Sequence, residues 1–303
     1  MKKVLLTIIS FLLLGQINGQ LDEKCLPKKL IVAAENLNFR TEPNTKSKTI
    51  GKLENAELLT FIKLHREEND GYWSGISNSW IKVERVQTGE IGYVFGKYVK
   101  SQEMAYMNYH DADRIQKGNW YGIFQEGNKV KIEKSSPKIS ELDEGFNSIV
   151  ANNEKHKILI CSQKEIKEGE INGKLFNNQR EYLKIGIQKR LIRIGDFEFS
   201  LACTGEVELK QGWMTRKNEK IIFQKMEIDG SQRHYSQQDL TECILQYGEV
   251  GYMIHFAGDL NNDGIPELII SEATTHGGTV YYFQSNEKGE LELQSITGSS
   301  SKC

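Results

Sequence analysis

Apolar and polar positions alternate with a period near two over most of the chain, interrupted by short apolar runs bounded by Gly, Asn or Asp. Successive side chains of a strand point to opposite faces, so the alternation predicts half-buried strands. The short continuous runs predict strands buried on both faces. Strands are expected at 30–34, 57–64, 80–85, 90–95, 129–133, 157–161, 182–188, 191–194, 197–203, 220–228, 252–256, 267–271 and 279–284. Helical periodicity is weak, with room for a turn or two at 140–150 and again at 236–246. The hydrophilic stretch 164–178 reads as a hairpin loop. The expected fold class is all-β with minor helices.

The strand pattern lapses over 101–119, and Trp120 opens a new series. The chain therefore divides into a first unit at 31–100, a linker at 101–119, and a second, mostly antiparallel β domain at 120–303. No internal repeat of about 20–50 residues is present. Trp120, Tyr121 and Trp213 are expected core anchors of the second domain.

Ahead of the first unit stand Met1-Lys2-Lys3, an apolar run from Val4 to Leu14, and Gly15-Gln16-Ile17-Asn18-Gly19. A basic start, a short apolar stretch and a small residue before a polar chain make a secretory signal, expected at 1–19. The run is shorter than the roughly 20 residues a spanning helix needs, and no other long apolar stretch follows. The expected location is outside the cytoplasm, periplasmic or extracellular, with no membrane span. Cleavage after Gly19 leaves 37 Lys and Arg against 41 Asp and Glu. Near-neutral charge gives no electrostatic footprint for nucleic acid.

Export permits disulfides, and the chain carries Cys25, Cys161, Cys203, Cys243 and Cys303. An odd count leaves at least one thiol free or paired to another chain. Cys303 is the last residue, where a bridge would pin a fraying terminus, and Cys243 is its favoured partner. Cys161 and Cys203 fit equally well as small apolar packing residues in strands.

The sharpest chemical pattern is Asp259-Leu260-Asn261-Asn262-Asp263-Gly264-Ile265-Pro266-Glu267. Side-chain oxygens fall at positions 1, 3, 5 and 9 of the loop, on Asp259, Asn261, Asp263 and Glu267. Gly264 permits a sharp turn, and Ile265 can offer its backbone carbonyl. An all-oxygen set suits a hard cation, calcium before zinc, in a structural role. The alternative is an Asx-rich hairpin turn that needs no ion. Position 12 is Ile270, not the bidentate Glu of an EF-hand, and the flanks read as strands.

Three resemblances follow from these residues. Ala33, Leu37-Asn38-Phe39-Arg40-Thr41-Glu42-Pro43, Ile50-Gly51-Lys52-Leu53, Trp80-Ile81-Lys82-Val83 and Gly92-Tyr93-Val94-Phe95-Gly96-Lys97-Tyr98-Val99 together resemble the bacterial SH3 domain. That resemblance implies a small barrel in a cell-envelope protein, contacting a cell-wall peptide or an envelope protein. The stretch between Phe61 and Trp80 departs from the family pattern. Its Tyr72 and Trp73 either present a ligand surface or fold back over the barrel end. The strand–loop–strand around Asp259 resembles the calcium loops of FG-GAP repeats, in a single copy. The wider run from Phe197 to Glu292 also looks like the C-terminal half of exported bacterial proteins of unassigned activity.

A cysteine peptidase of the NlpC type often follows such an SH3 domain, but Cys161 in Leu159-Ile160-Cys161-Ser162-Gln163 lacks the nucleophile context. No H-E-x-x-H, G-x-S-x-G or P-loop pattern occurs. The expected function is non-enzymatic binding or scaffolding in the cell envelope. The alternative is an envelope hydrolase of unrecognised class with its site in 120–303.

Overall fold

The computed structural model describes residues 26–65, 79–107, 117–142, 146–176, 182–210, 213–229, 231–244, 251–273, 279–286 and 288–298. The expected signal at 1–19, together with Cys25, Tyr72, Trp73 and Cys303, lies outside the described residues. Within them the chain is nearly all β, as its alternation predicts.

The first seven strands are β1 (Lys29–Val32), β2 (Leu37–Arg40), β3 (Thr49–Leu53), β4 (Leu58–His65), β5 (Trp80–Arg85), β6 (Ile91–Phe95) and β7 (Val99–Ser101). They form one sheet in the order β3-β2-β6-β5-β4-β1-β7. Alternation decides its inner face. Leu37 and Phe39 of β2, Leu59, Phe61 and Leu64 of β4, Ile81 and Val83 of β5, and Val94 of β6 converge on one core. A bulge after Phe61 leaves Ile62 40% exposed and returns Leu64 to the inside.

The remaining strands begin with β8 (Met104–Met107), β9 (Asn119–Glu126), β10 (Lys129–Lys134), β11 (Lys138–Leu142) and β12 (Phe146–Val150). Next come β13 (Ile158–Ser162), β14 (Gly169–Leu175), β15 (Tyr182–Leu183), β16 (Ile187–Ile194), β17 (Phe197–Lys210), β18 (Trp213–Asp229) and β19 (Gln232–Asp239). The last four are β20 (Gly251–Asp259), β21 (Glu267–Ala273), β22 (Thr279–Ser285) and β23 (Leu291–Gly298). The largest sheet runs β23-β22-β21-β20-β14-β10-β9-β13-β8, with β15 also paired to β20. Its two end strands meet. The Ala105 N–H donates to Ser295 Oγ at 3.3 Å, and Thr297 Oγ1 donates to the Ala105 carbonyl at 2.9 Å. The sheet thus curls into a barrel whose seam is held by two hydroxyls.

The inside of that barrel takes Ala105, Tyr121, Ile123, Ile132, Ile158, Ile160, Phe256, Ile269 and Tyr282. The outside of β20–β23 is covered by the separate sheet β16-β17-β18-β19 through Leu268, Ile270, Tyr281 and Phe283 packed on Phe199, Leu201 and Phe223. Burial on both faces explains why Leu268-Ile269-Ile270 and Val280-Tyr281-Tyr282-Phe283 are continuous apolar runs. Each such side chain contributes roughly 1.5–3 kcal/mol of burial. Trp120 and Tyr121 are core residues, as expected.

Four expectations are corrected. The described residues of 140–150 are strand, not helix: β11 and β12 pair antiparallel with Ile139 facing Ile149, and Ile149 packs with Trp120 and Leu159. At 236–246 the strand β19 continues to Asp239, and among the described residues a single 3-10 turn follows at Thr241–Cys243. The hydrophilic stretch 164–178 contains β14, which joins the two halves of the barrel by pairing with β10 and β20. It carries few apolar side chains because its ladder bonds, not its burial, hold it. The linker expected at 101–119 contains β8, which is an end strand of the barrel.

Candidate functional site

The loop between β20 and β21 is organised by its own carboxylates. Gly258 pairs with Glu267 across the strand ends, so the loop is closed at its base. The Asp259 carboxylate accepts from the N–H groups of Asp263 and Gly264, both at 3.1 Å. Asn261 Oδ1 accepts from the Asp263 N–H at 3.0 Å, and Asp263 Oδ1 accepts from the Ile265 N–H at 2.8 Å. The Glu267 carboxylate accepts from the Leu260 N–H. Asn262 and Gly264 take the left-handed conformation, with φ of 60° and 83°, which turns the chain sharply enough to aim these groups inward. Ile265 is anchored by a buried side chain.

A residue that sequence reading missed joins them. Ser285 of β22 lies against Asp263, 3.3 Å from Glu267 Oε1 and 3.2 Å from Asn261 Nδ2. Glu267 is 0% exposed, and burial pushes its carboxyl up to about 8. Burial also raises Asp259. The donor set is all oxygen and fits a hard cation by kind. The carboxylates are nevertheless each occupied by backbone N–H groups. Among the described residues no three His, Cys, Asp or Glu side chains are gathered for a metal. The arrangement present is the Asx-turn network.

A second cluster ties β10 to the approach of β13. His156 Nε2 is 2.8 Å from Glu133 Oε1, and His156 Nδ1 is 3.3 Å from Ser135 Oγ. Lys155 and Asn153 also bond Glu133, at 2.9 and 3.3 Å, and the bonds from Lys155 and His156 hold its carboxyl below the usual range. The His156 ring occupies space that only a glycine leaves: a Cβ at Gly122 would lie 2.2 Å from it. His156 is 1% exposed, and Ser135 Oγ also donates to Asn152 Oδ1 at 3.2 Å.

The first barrel presents the third arrangement. Because Ile81, Val83 and Val94 point inward, Trp80, Tyr93 and Phe95 point outward. Trp80 and Phe95 meet edge-on at 5.5 Å, Phe95 and Tyr98 lie 6.4 Å apart, and His65 meets Tyr93 edge-on at 6.5 Å. Trp80 forms the floor, Tyr93 and Phe95 are half-buried, and His65 and Tyr98 are exposed. Sequence reading leaves Tyr72 and Trp73, which lie outside the described residues, as either a ligand surface or a cover for the barrel end; the shared face of Trp80, Tyr93 and Phe95 is visible only through the pairing of β4, β5 and β6.

Cys161 and Cys203 are buried and neither is in a disulfide, as the packing reading expected, and the Cys203 thiol donates to Glu219 Oε1 at 3.3 Å. Burial, with the neighbouring Glu103 charge second, pushes the Cys161 thiol up to about 12. No helix among the described residues is long and apolar enough to cross a membrane.

Residues 35–100 match the family described as Bacterial SH3 domain. No curated protein and no solved structure matches the chain. The match covers the first sheet from the start of β2 to β7, and β1 completes it by pairing with both β4 and β7.

Proposed function

We propose that this is an exported, non-enzymatic cell-envelope protein that holds a cell-wall component on its SH3 barrel. The larger barrel serves as a body stabilised by calcium in the 259–267 loop. The observation that carries this reading is the bacterial SH3 match at 35–100 joined to an outward aromatic face of His65, Tyr93, Phe95 and Tyr98 over Trp80. Rings give large, rigid contact area at low entropic cost and stack on peptide and sugar faces alike. Calcium is supported by the oxygen donors Asp259, Asn261, Asp263, Glu267 and the carbonyl of Ile265. In the proposed loaded state, an ion would replace some of the N–H contacts of the loop and ionise Glu267. A Cys243–Cys303 disulfide is part of the same exported reading.

The test is retention of the purified protein on insoluble peptidoglycan. Wild type is expected to sediment with it, and Tyr93→Ala with Tyr98→Ala is expected to stay in solution. Wild-type retention no greater than that of an unrelated protein would refute wall binding.

The Ser135–His156–Glu133 line favours a second reading, an acyl hydrolase. There the Ser135 hydroxyl would attack an acyl carbonyl and pass its proton to His156 Nδ1, and His156 would deliver that proton to the leaving group before water cleaves the acyl-enzyme. The double use of the Ser135 hydroxyl and the burial of His156 favour a structural tie over this chemistry. Labelling of Ser135 by a fluorophosphonate, lost in Ser135→Ala, would displace the binding reading.

A further inference from the structure

The outward face of the SH3 barrel carries a second row beside its rings. Arg40 of β2 stands opposite Tyr93 of β6, Tyr93 opposite Lys82 of β5, and Lys82 opposite Lys63 of β4. The adjoining row, two residues along each strand, is His65, Trp80 and Phe95. Neighbouring strands lie about 4.8 Å apart, so the three cations fall within roughly 15 Å of one another along a single line.

Three features set this line apart. First, Lys63 and Lys82 are direct cross-strand partners, and like charges directly opposite destabilise a sheet. Second, among the described residues no carboxylate pairs with Arg40, Lys63 or Lys82. Arg85 on the same barrel, by contrast, holds Glu57 at 2.7 Å. The Arg40 guanidinium donates only to the Ser47 carbonyl, at 2.7 Å. Third, residues 26–101 hold 12 Lys and Arg against 9 Asp and Glu, whereas residues 102–303 hold 24 against 30. The positive line belongs to the one part of the chain whose charge opposes the rest.

We propose that this face recognises a short peptide through its free carboxylates. One carboxylate would lie between Lys63 and Lys82, Arg40 would extend the line, and the apolar parts of the peptide would rest on Tyr93 and Phe95. The proposal rests on the wall-binding reading and names the chemical group that reading leaves open. A carboxylate placed between the lysines turns their repulsion into two charge-assisted contacts, so the unfavourable pair is retained for what it binds. Aromatic rings beside the cations give specificity that charge alone does not supply.

The test titrates the full chain with soluble wall fragments that carry free peptide carboxylates, and with the same fragments amidated. Inorganic polyphosphate serves as a charge-only control. Wild type is expected to bind the free-carboxylate fragments and to weaken as salt rises. Amidation, or Lys63→Gln with Lys82→Gln, is expected to raise Kd about tenfold, from two partly exposed ion contacts. Polyphosphate is expected to bind no better than to the double variant. Both lysines are on the surface and repel each other, so the double variant should melt no lower than wild type.

If the double variant binds the fragments as wild type does, or if amidation changes nothing, the carboxylate assignment fails while wall binding stands. Equal affinity for polyphosphate would make the face a general polyanion surface and overturn the assignment too. No binding to any fragment or to insoluble wall would remove both readings.

Discussion

Glu103 offers the cleanest test of the energetics of the larger barrel. It lies between β7 and β8, is 5% exposed, and accepts a hydrogen bond from Ser162 Oγ at 3.0 Å. Burial, only partly offset by Ser162 and by the Lys164 charge, pushes its carboxyl from 4.5 up to about 7. The other titratable groups near it are the Cys161 thiol and the Tyr282 phenol, both neutral and both raised further by its charge. A carboxyl whose folded pKa is raised binds more protons folded than unfolded between the two values, so stability falls as pH climbs through that window. The cost relative to a neutral group is about 1 kcal/mol at pH 5 and about 3 kcal/mol at pH 8, where it levels off. Glu103→Gln keeps the shape and still accepts from Ser162, but cannot ionise. The variant should therefore gain roughly 2 kcal/mol on wild type between pH 5 and pH 8. For a domain of this size that is about 4–8 °C of extra Tm difference. The assay is thermal unfolding of both proteins at the two pH values. Every other titrating group cancels in the comparison. A Tm difference that is the same at pH 5 and pH 8 would refute the reasoning.

In the 259–267 loop, millimolar calcium should raise the Tm of wild type and leave Asp259→Ala unchanged; identical melting of wild type in calcium and in chelator would refute the proposed metal. Gly122→Ala should cost about 1–3 kcal/mol by overpacking, because its methyl meets the His156 ring at 2.2 Å, with loss of stability read by urea unfolding. An unchanged midpoint would show that the ring moves freely. Iodoacetamide applied to the folded protein should spare Cys161 and Cys203, which are buried, and a non-reduced peptide map should join Cys243 to Cys303. Alkylation of Cys161 at the rate of an unfolded thiol would contradict its burial.

What the sequence displays depends on how locally each feature is encoded. The SH3 barrel is legible because its alternating strands, from Leu37 and Phe39 to Val83 and Val94, each announce an inward face within a few residues. The larger barrel is not, because its closure uses strands with little alternation to read. Strand β14 buries only Leu175, and the seam at β8 rests on two hydroxyls, Ser295 and Thr297, from the far end of the chain. The loop shows the same division. The types and spacing of Asp259, Asn261, Asp263 and Glu267 lie in one stretch, whereas Ser285 reaches them only through the pairing of β21 with β22.

The cationic line is the sharpest case, since it hangs on a single extra residue. Phe61 pairs with Val83, and continuing that register would set Ile62 opposite Lys82 and turn Lys63 to the side that Phe61 occupies, into the core. The bulge at Ile62 shifts the remainder of β4 by one position. Leu64 then returns to the interior while Lys63 and His65 come out beside Lys82 and Trp80. One exposed isoleucine is thus the means by which the barrel keeps an intact core and still gathers charge and rings on one outward face. Nothing in the spacing of Lys63, Lys82 and Arg40 along the chain would have placed them in line.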